Sequence, residues 1–362
     1  MLFKSVITIS LAALAFAAPH QHHQHKEEKR AVDIVTKTNV IVVTVGGDFT
    51  ATLPAAEGTP AAVTAAAAAA VSVPPPQQQP ESFTNPTTFE SVATTASTQA
   101  PVASADAEGA KGITYTPYSN DGGCKPQSQI NSEVAALAGF DIIRLYGVDC
   151  NQVAAVLAAK QPNQKLFAGI FDMTQITAGI QTLTDAVNAN GGWDEIFTVS
   201  IGNELVNSGQ ATPAQVASYV QEGRAALTAA GYTGPVVSVD TFIATMEHTE
   251  LCTISDYVAI NAHAFFDGTY VADKAGDWLL IQIQAVWTAC AGQKSVLVTE
   301  TGWPSQGETN GVAVPSKPNQ EAAIASIKEK CGNDSILFTA YNDLWKAPGA
   351  FDAEQYWGIF SS

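Results

Sequence analysis

The chain has 362 residues, 46% of them hydrophobic, and carries 17 Lys and Arg against 34 Asp and Glu, a net charge of −17. That length holds one large domain or two ordinary ones. Such an acidic balance argues against nucleic acid or an anionic membrane surface as a partner, since both would repel it, and favours a neutral or cationic one.

In chain order, MLFKSVITISLAALAFAAP places one Lys before an apolar run and small residues near Ala15–Ala18. This is the pattern of a secretory signal peptide over residues 1–18. A membrane anchor is the alternative, but the run is short for a bilayer span and a polar stretch, HQHHQHKEEKR, follows it. Lys29-Arg30 has the form of a dibasic processing site, which makes residues 19–30 a pro-segment and starts the mature chain at Ala31. The C-terminus, YWGIFSS, lacks the long apolar tail of a lipid-anchor signal.

Residues 31–110 read as one low-complexity region. Its first part, VDIVTKTNVIVVTV (32–45), is β-branched enough for a strand but has no nearby pairing partner in the sequence. From Gly46 to Ala110 the composition is Ala, Thr, Ser, Pro and Gln, which cannot bury enough apolar surface to offset its ordering entropy. Disorder is expected there, as an O-glycosylated stalk or an unmodified spacer.

From Lys111 onward short β-branched runs alternate with Ala-rich amphipathic segments, the rhythm of βα units. Strands are predicted at 111–116, 141–146, 165–170, 196–201, 235–240, 257–262, 295–300 and 335–341. Helices are predicted between them, for example at 212–231 and 318–332, with Thr212 before Pro213 as a start signal and Gly231 or Gly332 as stops. Eight repeats over residues 111–362 fit an α/β fold of the (β/α)8 TIM-barrel class. A doubly wound open sheet is the competing architecture, weakened because no Gly-rich phosphate loop follows the first strand.

Five cysteines, Cys124, Cys150, Cys252, Cys290 and Cys331, in an exported chain suggest disulfides with one thiol left over, and the sequence leaves the pairing open. No Cys-x-x-Cys pair exists, and His22, His23 and His25 lie in the segment expected to be removed, so neither a metal nor another cofactor is expected.

In a TIM barrel, function sits where strands end. Glu204 follows the fourth predicted strand in VSIGNEL, and Glu300 closes the seventh in VLVTETGWPS. An acid at the end of an apolar strand costs free energy unless something uses it. One use is a buried ion pair, for example with Arg144; the other is chemistry. Their company favours chemistry: Asn203 beside Glu204, Trp303 beyond Glu300, and Tyr115, Tyr146, His263 and Phe266 near other strand ends. Aromatic rings stack on the apolar faces of pyranoses while amides bind hydroxyls, although any one of these rings could be ordinary barrel packing.

GNE after one strand and TETGWPS at the end of another closely resemble the catalytic signatures of glycoside hydrolase family 17. KGITYTPY, IIRLYGVDC, NAHAFF, YNDLWK and EQYWGIF resemble further blocks of that family, in order, over residues 111–360. Within it the chain is most similar to fungal cell-wall mannoproteins of the yeast surface-glucanase type. The resemblance implies a secreted, wall-associated enzyme that cleaves β-1,3-glucan with retention, Glu204 serving as acid/base and Glu300 as nucleophile. The residues expected to contact sugar are Tyr115, Tyr146, Asn203, His263, Phe266, Trp303 and Lys346, and the resemblance gives Asp343 and Lys346 of YNDLWK a supporting role near the nucleophile. His263 stands where plant members tend to have Tyr, and a structural His is the competing reading. Asn333-Asp334-Ser335 is a glycosylation sequon on an expected surface turn before the last strand. Hydrolysis, chain transfer, and a surface mannoprotein or adhesin with little catalysis are the three functions these features allow.

Overall fold

The computed structural model describes residues 109–361. The signal and pro-segments, the predicted strand at 32–45 and the low-complexity region up to residue 108 lie outside the described residues.

Eight parallel strands close on themselves in chain order. They are β1 (Gly112–Thr114), β2 (Ile142–Arg144), β3 (Lys165–Ile170), β4 (Ile196–Asn203), β5 (Val236–Thr241), β6 (Val258–Asn261), β7 (Val296–Thr301) and β8 (Ser335–Leu337). Pairing of Gly112 with Ile336 and of Ile113 with Leu337 completes the ring, so the open-sheet alternative falls. Each strand starts within about one residue of its expected position, a boundary error typical of sequence reading.

Strand alternation divides the core. Ile142, Phe167, Val237, Val239, Ala259, Leu297 and Ile336 pack together as one cluster, the filling of the barrel. Their neighbours Ile143, Leu166, Ala168, Val236, Val258, Ile260, Val296 and Leu337 belong to the larger layer that includes helix residues such as Val156, Leu183 and Leu227. This two-faced burial explains why these strands read as continuous apolar runs.

The surrounding helices are α1 (Gln127–Ala135), α2 (Gln152–Ala159), α3 (Ile176–Asn188), α4 (Pro213–Ala229), the short α5 (Phe242–Glu247) and α6 (Leu251–Ile254), α7 (Ala275–Ala289) and α8 (Lys317–Cys331). Thr212 and Gln215 form a reciprocal capping box at the start of α4, with Pro213 in the first turn. Close packing of α7 on α8 depends on Gly276: a Cβ there would lie 2.0 Å from the Ser326 carbonyl oxygen. No helix among the described residues is long and apolar enough to cross a membrane.

Two disulfides form, Cys124–Cys150 and Cys252–Cys290. Cys331 is the leftover thiol, buried at the end of α8, where burial pushes its pKa up to about 11.

Candidate active site

A cleft of about 1080 Å³ opens beyond the carboxyl ends of the strands, and Glu204 and Glu300 both line it. Neither position follows from simple strand alternation. The register between β6 and β7 shifts between Ile260 and Asn261, so that Asn261 pairs with Glu300. Thr299 and Glu300 can then both reach inward partners, Thr299 donating to Asn261 Oδ1 at 2.8 Å and Glu300 meeting Arg144. Bulges re-aim side chains in this way beside functional sites. A second shift lies between Ser200 and Asn203 on the β4–β5 ladder. There Gly202 has φ 79° and Glu204 itself has φ 52°. A non-glycine residue holds the left-handed region only where its surroundings over-determine it. Here the Glu204 N–H donates to the Val239 carbonyl at 2.9 Å, and buried Asp240 accepts from the N–H groups of Val206 and Asn207 at 2.9 and 3.1 Å, fixing the turn after Glu204.

Glu300 is 6% exposed and sits among donors. Its Oε1 accepts from Arg144 Nη1 and from the Tyr146 hydroxyl, each at 2.9 Å, and Oε2 lies 3.5 Å from His263 Nε2. Burial alone would raise the carboxyl pKa, but Arg144, followed by His263 and Tyr146, outweighs it and brings the group down to about 2. Glu204 shows the opposite balance. Its pKa is raised, first by burial and then by the negative Glu300, against a hydrogen bond from Asn261 Nδ2 to Oε1 at 2.8 Å. Two carboxyl groups of one cleft are thereby driven apart, one held ionised and the other biased toward its acid form.

Arg144 organises the floor. Its guanidinium is 1% exposed and also donates to Thr299 O at 2.8 Å, to Asn261 Oδ1 at 3.3 Å and to Asn203 Oδ1 at 2.8 Å. Asn203 Oδ1 accepts from Asn261 Nδ2 as well, at 3.3 Å, which leaves the Asn203 Nδ2 group as the donor available to a ligand. The ion pair with Arg144 and a chemically poised acid are therefore the same arrangement, not alternatives.

Of the sequence-predicted contacts, Tyr146, Asn203, His263, Phe266 and Lys346 line the cleft. Lys346 Nζ is 2.8 Å from Glu354 Oε1 and 3.5 Å from Asp343 Oδ2; burial disfavours its charge, but the two carboxylates outweigh burial and raise its pKa. Asp343 is buried and also accepts from Thr116 and, at 3.2 Å, from Trp345 Nε1. Tyr115 and Trp303 are corrections. Tyr115 follows the inward Thr114 by one residue and so points outward; it is buried, with its hydroxyl donating to Glu133 Oε2 of α1 at 2.7 Å. Trp303 is fully buried against Phe265, its Nε1 donating to the Val314 carbonyl at 3.0 Å. Both are packing residues. Asn333 is exposed just before β8, as the sequon reading requires.

Sequence reasoning missed Asn261, although it opens the NAHAFF block, and it missed Tyr118, Phe171, Trp345 and Trp357 on the cleft wall. Trp357 stands in the EQYWGIF block and packs on His263 with ring centroids 4.9 Å apart. Among the described residues no group of three or more His, Cys, Asp or Glu side chains is arranged to hold a metal ion.

Comparison with known proteins agrees with this architecture. The chain is 59% identical, over the whole length of both proteins, to the Candida albicans protein named "Cell surface mannoprotein MP65". It is also 59% identical to "Probable family 17 glucosidase SCW4" of Saccharomyces cerevisiae, over 71% of this chain and 66% of that one. Among solved structures, a glycoside hydrolase family 17 β-1,3-glucanosyltransferase of Rhizomucor miehei superposes with a TM-score of 0.59 at 21% identity, covering 71% of this chain and 94% of that one, a likeness of fold. Residues 112–358 match the BtgE/BtgC glycoside hydrolase domain, and the chain belongs to that glycoside hydrolase family.

Proposed function

We propose that the barrel is a retaining β-1,3-glucanase of the cell wall, with Glu300 as nucleophile and Glu204 as acid/base. The observation that carries this reading is the opposite electrostatic bias of the two carboxyl groups in one cleft. Acid and nucleophile must differ in protonation at one pH, and separated environments achieve that. Substrate class draws further support from the names of the relatives and from a mutant of the Rhizomucor miehei enzyme described in complex with laminaritriose.

In the first step a Glu300 carboxylate oxygen attacks the anomeric carbon while the Glu204 proton passes to the departing glycosidic oxygen. The bond from anomeric carbon to leaving oxygen breaks, and a glycosyl ester forms on Glu300. Loss of the negative charge on Glu300 lowers the pKa of Glu204, which then takes a proton from the incoming acceptor hydroxyl as that oxygen displaces Glu300. Asn203 Nδ2 is the donor suited to the 2-hydroxyl of the sugar, a contact that strengthens in the transition state. Arg144, Tyr146 and His263 hold Glu300 charged and oriented before attack and stabilise it as it leaves.

Purified protein incubated with a defined β-1,3-gluco-oligosaccharide, beside Glu204→Gln, tests this. Shorter products mean hydrolysis, longer ones transfer to a second glucan, and identical behaviour of the two proteins removes the enzyme reading. Placement in the wall follows the signal, dibasic and stalk features of residues 1–110. The intact pair of carboxylates argues against a purely adhesive role. Glycan release by an N-glycosidase, absent in Asn333→Gln, checks the sequon.

A further inference from the structure

Asp240 on β5 and Asn207 in the turn after β4 do not line the cleft, yet both bear on the carboxyl group that must give up a proton in it. Asp240 is 4% exposed, and its hydrogen-bond partners are three backbone donors. Oδ2 accepts from the Val206 N–H at 2.9 Å, and Oδ1 from the Asn207 N–H at 3.1 Å and the Thr241 N–H at 2.9 Å. Burial raises the Asp240 pKa, while the three N–H groups pull it back toward the ionised form. Residues 204–208 make a single turn, closed by the Ser208 N–H donating to the Glu204 carbonyl at 3.0 Å. The N–H groups of Val206 and Asn207, left without a partner inside such a turn, end on Asp240, so the left-handed Glu204 is tied to the next strand. The Asp240 charge also adds, behind burial and Glu300, to the raised pKa of Glu204.

Asn207 carries the constraint on to the Glu204 side chain. Thr241 Oγ1 accepts from the Ala244 N–H at 3.1 Å, which leaves the hydroxyl proton for Asn207 Oδ1, also 3.1 Å away. With Oδ1 so engaged, the amide turns Nδ2 toward Glu204 Oε2 at 3.4 Å. Glu204 Oε1 meanwhile accepts the shorter bond, 2.8 Å, from Asn261 Nδ2. A protonated carboxyl group accepts well at its carbonyl oxygen and poorly at its hydroxyl oxygen. The two lengths therefore mark Oε1 as the carbonyl oxygen and Oε2 as the one that carries the proton.

We propose that Asp240 and Asn207 are positioning residues of the acid/base: Asp240 holds the turn that presents Glu204, and Asn207 orients its carboxyl group so that the proton on Oε2 faces the departing glycosidic oxygen. The inference rests on the glucanase reading and assigns these two residues to its proton transfers, not to the attack by Glu300. Those two parts separate by leaving group. A β-1,3-gluco-oligosaccharide needs a proton on the departing oxygen, whereas its 2,4-dinitrophenyl glycoside does not, since dinitrophenolate leaves with the bonding electron pair as a stable anion. In Asp240→Asn the amide Nδ2 meets a backbone N–H head on and the turn shifts. On the oligosaccharide kcat falls about 100-fold, the loss expected when a catalytic group is misplaced by about 1 Å. On the dinitrophenyl glycoside the same variant gives a burst of dinitrophenolate equal to the amount of protein, because Glu300 still attacks while release of the sugar from it, which needs Glu204 as base, is slow. Asn207→Ala, at an exposed position that keeps its backbone N–H, shows the same division with about a tenfold fall, and it decides the outcome if Asp240→Asn does not fold. Equal losses on both substrates in either variant, or no loss in Asn207→Ala, overturn the proposal. A wild type that cleaves neither substrate overturns the glucanase reading and the proposal with it.

Discussion

Replacing Arg144 by Met puts the electrostatic reading of the cleft at risk. Arg144 and Glu300 form a buried pair, 1% and 6% exposed, at 2.9 Å. The fall of the Glu300 carboxyl from its ordinary 4.5 to about 2 corresponds to about 3 kcal/mol favouring the ionised form. Burial opposes that fall and Arg144 is its leading cause, so without the guanidinium the carboxyl titrates higher than in the wild type. Removing one member of a buried pair typically costs about 3–5 kcal/mol, because the other is left uncompensated. The assay is kcat/KM against pH on a β-1,3-gluco-oligosaccharide. In the wild type the acid limb reflects Glu300 and the alkaline limb Glu204, whose pKa is raised. In Arg144→Met the acid limb moves to higher pH, so the bell narrows from its acid side. Stability carries the same sign. A depressed folded pKa stabilises the protein above the unfolded value and loses that contribution between pH 4.5 and about 2, so Arg144→Met loses stability at neutral pH and little at the lowest pH. An acid limb left in place would refute the assignment of Arg144 as the group that keeps Glu300 charged.

Other perturbations follow from the same geometry. Glu300→Gln and Glu204→Gln each lower kcat by about 100-fold or more on an unactivated oligosaccharide, and azide added to Glu204→Ala yields a glycosyl azide, detectable by mass. Asn261→Ala deletes the hydrogen bond that lowers the Glu204 pKa, so the alkaline limb of the kcat/KM profile moves to higher pH. Tyr115→Phe removes the bond to Glu133 and lowers unfolding stability by about 1–3 kcal/mol in thermal or urea denaturation, with kcat/KM unchanged. Gly276→Ala forces α7 away from the Ser326 carbonyl and costs about 1–3 kcal/mol by the same measurement.

What could be read from the residues divides along physical lines. The eight strands were legible because parallel strands buried on both faces are continuous apolar runs, as in IFTVSI and SVLVTE. Glu204 and Glu300 were legible because acids interrupting such runs need a partner. That Arg144 is this partner for Glu300, and that the pairing serves the site instead of replacing it, required coordinates. Tyr115 was misplaced although alternation contains the answer, since it is out of phase with Thr114. Asn261 and the inward turn of Glu300 could not be read, because both depend on a register shift between β6 and β7 that no local pattern announces. Phe171 and Trp345 stood in loops, where neighbours in space are set by the ring of strands and not by spacing in the chain.

The two disulfides have a consequence for how the protein is made. Cys124–Cys150 and Cys252–Cys290 span 26 and 38 residues, and neither segment overlaps the other. During synthesis both cysteines of the first pair are present before Cys252 has emerged, and both of the second before Cys331 has. Correct pairing is therefore the pairing of consecutive cysteines in order of synthesis. The unpaired thiol arrives last and folds into the core with α8, where its raised pKa keeps it from attacking either bridge.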